Sequence, residues 1–238
     1  MKSDSFVFSY IGGRSSNEDY AQIKKSDNNT LFAVADGLGG HQHGGLASKR
    51  AVETLSEAFP TEFDGEAKDW LERTLEEAQS KVLAVEDDMN STIRTTIVAL
   101  VLSGEKAAWA HIGDSRLYYI HDNEIASVTE DHSVAYKKFK AGEITYDEIA
   151  SDEDQSRLLR ALGSDRHSPV LDECTLSEGD GFMLCSDGMW EYIYNEEILV
   201  DYLKSESAEE WGELMLMRVM ERLPEDCDNL SLITVIIQ

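Results

Sequence analysis

Residues 30–45 read TLFAVADGLGGHQHGG, and the reading of this stretch governs the rest of the chain. It opens on an apolar run, Leu31-Phe32-Ala33-Val34-Ala35, with the length and composition of a buried strand. Asp36 follows at once, then Gly37, Gly39 and Gly40. A carboxylate at the exit of a buried strand is held by the sheet. Glycines beside it let the chain turn and let a ligand approach the main chain closely. A helical pattern begins at Leu46. The unit reads as strand, carboxylate, flexible turn, helix. Taken alone, Asp36-Gly37 is also ordinary turn chemistry.

Working outward, the arrangement recurs. Ile112-Gly113-Asp114-Ser115, Leu184-Cys185-Ser186-Asp187-Gly188 and Cys227-Asp228-Asn229 each set an aspartate beside an apolar run. Glu18 and Asp19 lie just ahead of another strand-like segment. Gathered without a cation, these carboxylates would repel and raise one another's pKa. Gathered around Mg2+ or Mn2+ they are satisfied, and an oxygen-only ligand set suits hard ions. Two such ions can share a water, lower its pKa and aim it as a nucleophile. Asp36 is the candidate bridge, and the Gly37 carbonyl is a further candidate ligand. Arg14 stands a few residues before Glu18, where its guanidinium can take a phosphate oxygen pair or, in the simpler alternative, form a salt bridge to Glu18.

The other patterns along the chain define an α+β protein. Residues 5–11, 20–24 and the Asp36 strand read as an antiparallel meander. Apolar residues at helical spacing mark one helix from Leu46 to Phe59, stopped by Pro60, and a second over 67–85. Strands are expected at 95–103, 107–112, 117–121, 124–128, 170–176, 181–185 and 230–237, with helices at 195–204 and 208–222. The polar stretch 131–166, with short helical patterns at 133–140 and 146–150, reads as an inserted flap. Helices are segregated from strands and β-connections are short, which gives antiparallel sheets covered by helices within one domain, 1–238.

Composition narrows the partners. A net charge of -26 excludes a phosphate-backbone binder, so no nucleic acid is expected. No run reaches membrane-spanning length, and MKSDSFVFSYIGGR lacks the apolar core of a signal peptide. Cys174, Cys185 and Cys227 show neither zinc spacing nor an even disulfide set. The expectation is a cytoplasmic protein, free of the membrane.

The ordered segments GGRSSNED (12–19), ADGLGGH (35–41), HIGDSR (111–116), EDHS (130–133), GEIT (142–145), CSDGMWE (185–191) and DNLSLITV (228–235) resemble the motif series of the metal-dependent protein serine/threonine phosphatases, the PPM or PP2C family, in its compact bacterial form. The resemblance runs from the first strand to the last. It implies a four-layer α/β/β/α sandwich, two central antiparallel sheets flanked by helix pairs. It implies hydrolysis of phosphoserine and phosphothreonine in proteins, with two Mn2+ or Mg2+ ions and a possible third.

By position, the resemblance makes Asp36 the bridging ligand, with Gly37, Asp187 and Asp228 completing the pair of sites. Glu18 and Asp19 act directly or through water, Asp114 holds the third ion with Asp187, and Arg14 binds the substrate phosphate. His41, with His43 as its rival, is the candidate acid for the leaving alkoxide. His111 and His132 are expected in structural hydrogen bonds. One departure stands out: Ile93-Arg94-Thr95-Thr96 carries Arg94 where many members have glycine, which removes no expected ligand. A monomer opposing a Ser/Thr protein kinase is the family expectation. The competing readings are a phosphatase-like binding module without turnover and a generic acidic cation-binding protein.

Overall fold

The computed structural model describes residues 1–39, 43–89 and 92–238. The strands are β1 (Ser3–Tyr10), β2 (Asp19–Lys25), β3 (Asn29–Gly39), β4 (Ile93–Thr95), β5 (Ile97–Ser103), β6 (Lys106–Ile112), β7 (Arg116–His121), β8 (Glu124–Val128), β9 (Val170–Thr175), β10 (Gly181–Cys185) and β11 (Leu230–Ile237). The helices are α1 (Gly44–Ala58), α2 (Ala67–Met89), α3 (Val134–Ala141), the short α4 (Asp187–Trp190), α5 (Asn195–Lys204) and α6 (Ala208–Arg222). One sheet runs β1-β11-β10-β7-β8 and the other β2-β3-β5-β6-β9, with β4 also on β3. Every pairing is antiparallel.

Alternation along the strands builds the layers. On β3, Leu31, Ala33 and Ala35 pack with Ala51, Leu55, Leu71 and Leu75 of α1 and α2. Phe32 and Val34 point the other way, into a layer with Phe182 and Leu184 of β10 and Ile233 and Val235 of β11. Met183 and Cys185 of β10 face Trp211 and Met215 of α6. Because side chains alternate sides at every residue, each central strand serves two apolar layers. Each large side chain so buried contributes about 1.5–3 kcal/mol. The result is helix pair, sheet, sheet, helix pair.

The structure departs from the sequence reading in three places. β1 does not join a meander with β2 and β3; it pairs with β11 in the opposite sheet, Ser3 facing Ile237. The strand expected over 95–103 is two strands broken at Thr96. At the break, Thr95 Oγ1 donates to the Asp36 carbonyl (2.8 Å) and Thr96 Oγ1 accepts from the Asp36 amide (2.9 Å). Lastly, Asp36 is not at a strand exit. β3 runs on to Gly39, paired with β5 up to Val34 and with β4 from Gly37, and Asp36 sits where the partner changes.

The stretch 131–166 contains α3 and a 3-10 turn, Ile149–Ser151, at the two places where helical patterns were expected. Ala135 and Ile149 enter the apolar layer beneath α5 and α6, and Leu162 enters the layer beneath α1 and α2. Arg94 is exposed on β4, opposite Leu38.

Candidate active site

Strand alternation places the first carboxylates. Phe32 and Val34 face the space between the sheets, and Asp36 is the next residue on that side, where the apolar layer ends. Asp19 lies directly opposite Asp36 across the β2–β3 pairing. From the other sheet, β10 ends at Cys185 and Asp187 opens α4 two residues later, while Asp228 stands two residues before β11. Asp114 occupies the turn between β6 and β7. Both sheets thus present acidic groups at the same end of the sandwich.

Their electrostatics show that these groups share one region. Burial pushes Asp36 well above the usual carboxylate range, and the charges of Asp187, Asp19, Asp114 and Asp228 push it further. Asp114 is raised well above its ordinary value by burial and then by Asp187. Asp19 is raised to about 7 by burial, against a hydrogen bond from Ser186 Oγ of 2.6 Å. Asp187 is raised to about 6 by burial and then Asp228, while the Gly188 amide and the nearby Gln155 side chain pull it back. Glu18 is raised by burial. A carboxylate so placed is stabilised either by a proton or by a cation.

Two buried oxygens, Glu18 Oε1 and Asp19 Oδ1, have no hydrogen-bond partner. Buried acceptors are normally satisfied, so an unpartnered pair beside other carboxylates marks a place for a cation. The donors are all oxygen, as a hard divalent ion requires. Among the described residues, no three His, Cys, Asp or Glu side chains are placed closely enough to hold a metal ion as they stand. Instead, Asp228 is turned to Arg14 and Asp19 to Ser186. Such an arrangement of mutually repelling anions fits an ion of the Mg2+ or Mn2+ kind that would draw them in.

Gly37 is built for close approach. A Cβ there would lie 2.2 Å from the Gly44 carbonyl oxygen and 2.7 Å from that of Glu18. The Gly37 amide donates to the Glu18 carbonyl (3.1 Å), which fixes the β3 backbone against the Glu18 segment.

Arg14 pairs with Asp228, not with Glu18. Its Nε and a terminal nitrogen meet Asp228 Oδ1 and Oδ2 at 3.1 and 2.9 Å, with the arginine side chain 54% exposed. The guanidinium therefore stands at the solvent edge of the acidic site. His41 lies outside the described residues. His43 precedes α1, and its Nδ1 is buried without a partner. His111 Nε2 meets the Glu130 carbonyl at 2.9 Å, and His132 Nδ1 accepts from the Gly113 amide at 3.1 Å, with the two rings stacked 4.7 Å apart. Burial holds both below the usual histidine range, His132 at about 3.

The sequence reading missed several supporting groups. Asn229 accepts from the Glu18 amide at 2.7 Å and donates to the Ile11 and Ser16 carbonyls, pinning the loop that carries Arg14. Thr96 and Ser115 share a 2.6 Å hydrogen bond behind Asp36 and Asp114. Glu191, raised to about 8 by burial and then Asp187, adds another acidic group. The sequence signal for Asn229, Ser115 and Glu191 was their position inside the quoted motifs; Thr96 was quoted only beside Arg94.

Comparison with known proteins follows the same outline. The Protein phosphatase 2C family matches residues 9–219. The serine/threonine phosphatase stp of Listeria welshimeri is 32% identical over 203 residues, covering 82% of this chain and 80% of its own. The structure of the serine/threonine phosphatase Stp1 from Staphylococcus aureus superposes with a TM-score of 0.89 at 26% identity, over 100% of this chain and 96% of that one. The catalytic domain of the phosphatase PstP, solved with two manganese ions, gives 0.83 at 27% identity, with 99% of each chain covered. Two antiparallel sheets between helix pairs, acidic groups from both sheets at one end, and a match along nearly the whole length lead to one assignment: the chain belongs to the protein phosphatase 2C family.

Proposed function

We propose that this chain is a metal-dependent protein serine/threonine phosphatase, hydrolysing phosphoserine and phosphothreonine esters. The observation that carries this reading is the meeting of Asp19, Asp36, Asp114, Asp187 and Asp228 in one field, with buried oxygens of Glu18 and Asp19 left unpartnered. Divalent ions at such a site supply positive charge for the phosphoryl oxygens and a nucleophilic water at neutral pH. Asp36, Asp187, Asp228 and the Gly37 carbonyl would hold a binuclear pair. Glu18 and Asp19 would support it, and Asp114 with Asp187 would hold a third ion.

The remaining work falls to other side chains. Arg14, at the solvent edge, would bind the phosphate of the incoming ester with the same guanidinium fork that holds Asp228, because carboxylate and phosphate each offer it a pair of oxygens. His41 is the candidate donor of the proton to the leaving alkoxide. The 131–166 segment, whose Gln155 lies beside Asp187, forms the flap of a single 1–238 domain and borders the substrate. The biological setting we propose is cytoplasmic, as a monomer opposing a Ser/Thr kinase.

The test is hydrolysis of a phosphothreonine peptide with Mn2+, with and without EDTA. Turnover should require the ion and vanish on chelation. Arg14→Ala should cost about 10–100-fold in kcat/KM, the value of a charged hydrogen-bonding pair. Activity that survives EDTA, or no activity with any divalent ion, contradicts the proposal.

A further inference from the structure

Behind the acidic site lies a buried arginine that the proposed chemistry does not use. Arg116, at the start of β7, is 3% exposed. Its Nε and one terminal nitrogen grip Asp131 at 2.8 and 2.7 Å, at the very start of the 131–166 segment. Its other terminal nitrogen donates to Tyr118 and to Tyr146 Oη, both at 3.3 Å, and Tyr146 lies within that segment. The guanidinium carbon sits 3.5 Å from the centroid of the Trp190 ring. Trp190 in turn donates its Nε1 proton to the Asp114 carbonyl at 2.9 Å and belongs to α4, the helix that begins with Asp187. Beside this stack, the His132 amide donates to the Gly113 carbonyl (2.9 Å) and the Gly113 amide to His132 Nδ1.

One guanidinium thus touches the root of the flap segment, its middle, and the indole that holds the Asp114 turn. A buried ion pair is a poor way to gain stability, since apolar residues of equal volume do as well or better. What a bidentate fork stacked on an indole provides is a fixed geometry among three pieces of chain.

We propose that Arg116 is a positioning residue that sets the 131–166 segment and the Asp114 turn in one register, so that substrate seating and the placement of the Asp114 carboxylate depend on the same group. The kinetic consequences rest on the phosphatase reading above; the coupling itself does not.

Three conservative variants separate its arms. Trp190→Phe keeps an aromatic face but loses the bond to Asp114. We expect kcat to fall about tenfold on both a phosphothreonine peptide and p-nitrophenyl phosphate, with KM unchanged. Tyr146→Phe loses only the link to the middle of the segment. We expect KM for the peptide to rise about fivefold with p-nitrophenyl phosphate hydrolysis unchanged. Arg116→Lys keeps the charge and loses the fork, so both effects should appear together. Hydrogen–deuterium exchange should quicken across 131–166 and at Gly113 in Arg116→Lys, with β3 and β5 unchanged. Unaltered exchange in that variant overturns the proposal, whether or not the wild-type chain hydrolyses any ester. In an active enzyme, losses that follow thermal stability alone, with no kcat and KM split between Trp190→Phe and Tyr146→Phe, also overturn it.

Discussion

Asp36→Asn should remove metal-dependent turnover while leaving the fold intact. Asn has the shape of the carboxylic acid, and the backbone bonds of Asp36 to Thr95 and Thr96 do not involve its side chain. The carboxyl is already forced toward its neutral form by burial and by four neighbouring aspartates. Replacing it relieves repulsion in the metal-free protein, so thermal stability without metal should be no lower than in the wild type. With Mn2+ the balance reverses, because the variant lacks the carboxylate proposed to bridge the ions. The Lewis-acid contribution of such ions is several kcal/mol, so kcat/KM on a phosphothreonine peptide should fall about 10³-fold or more. A variant within tenfold of wild type at saturating Mn2+ would remove Asp36 from the centre of the mechanism.

Gly37→Ala should act through the backbone. The added methyl would stand 2.2 and 2.3 Å from the Gly44 carbonyl oxygen and carbon and 2.7 Å from the Glu18 carbonyl oxygen. None of these is the flexible end of a side chain, so β3 or the start of α1 must move. The cost should be about 3 kcal/mol, at the upper end for overpacking. For a chain of this size that lowers the melting temperature by about 6–12 °C. Because the same shift displaces Glu18 and the Gly37 carbonyl, metal affinity should fall as well. Thermal melts with and without Mn2+ check both effects: the stabilisation given by Mn2+ should shrink along with the melting temperature. A variant that melts and responds to Mn2+ like the wild type would show that the close approach of Gly37 and Gly44 is not needed.

Most of the fold was legible because apolar alternation is a local signal. The β3 run declares a strand buried on both faces, and α1, α2, α5 and α6 declare themselves by helical spacing. The acidic residues were legible for a related reason: Asp114, Asp187 and Asp228 stand beside strand ends, and Asp36 follows the apolar run of β3. What could not be read was non-local. Nothing local to residues 3–10 says that they pair with 230–237, at the other end of the chain. Arg14 has Glu18 as a near neighbour in sequence, yet bonds Asp228, because the β1–β11 pairing brings the two loops together. The Thr96 break is invisible in the apolar pattern of 95–103, since it is imposed by hydrogen bonds to Asp36. Arg116 and Asp131 look like ordinary charged residues in sequence; only the fold buries them against Trp190.

The direct test of the account is a crystal of the protein soaked in Mn2+ and measured at a wavelength where manganese scatters anomalously. The account predicts two strong anomalous peaks between the sheets, with Asp36 touching both and Asp187 and Asp228 completing them. Peaks at other carboxylates on the surface, with Asp36, Asp187 and Asp228 bare, would contradict it.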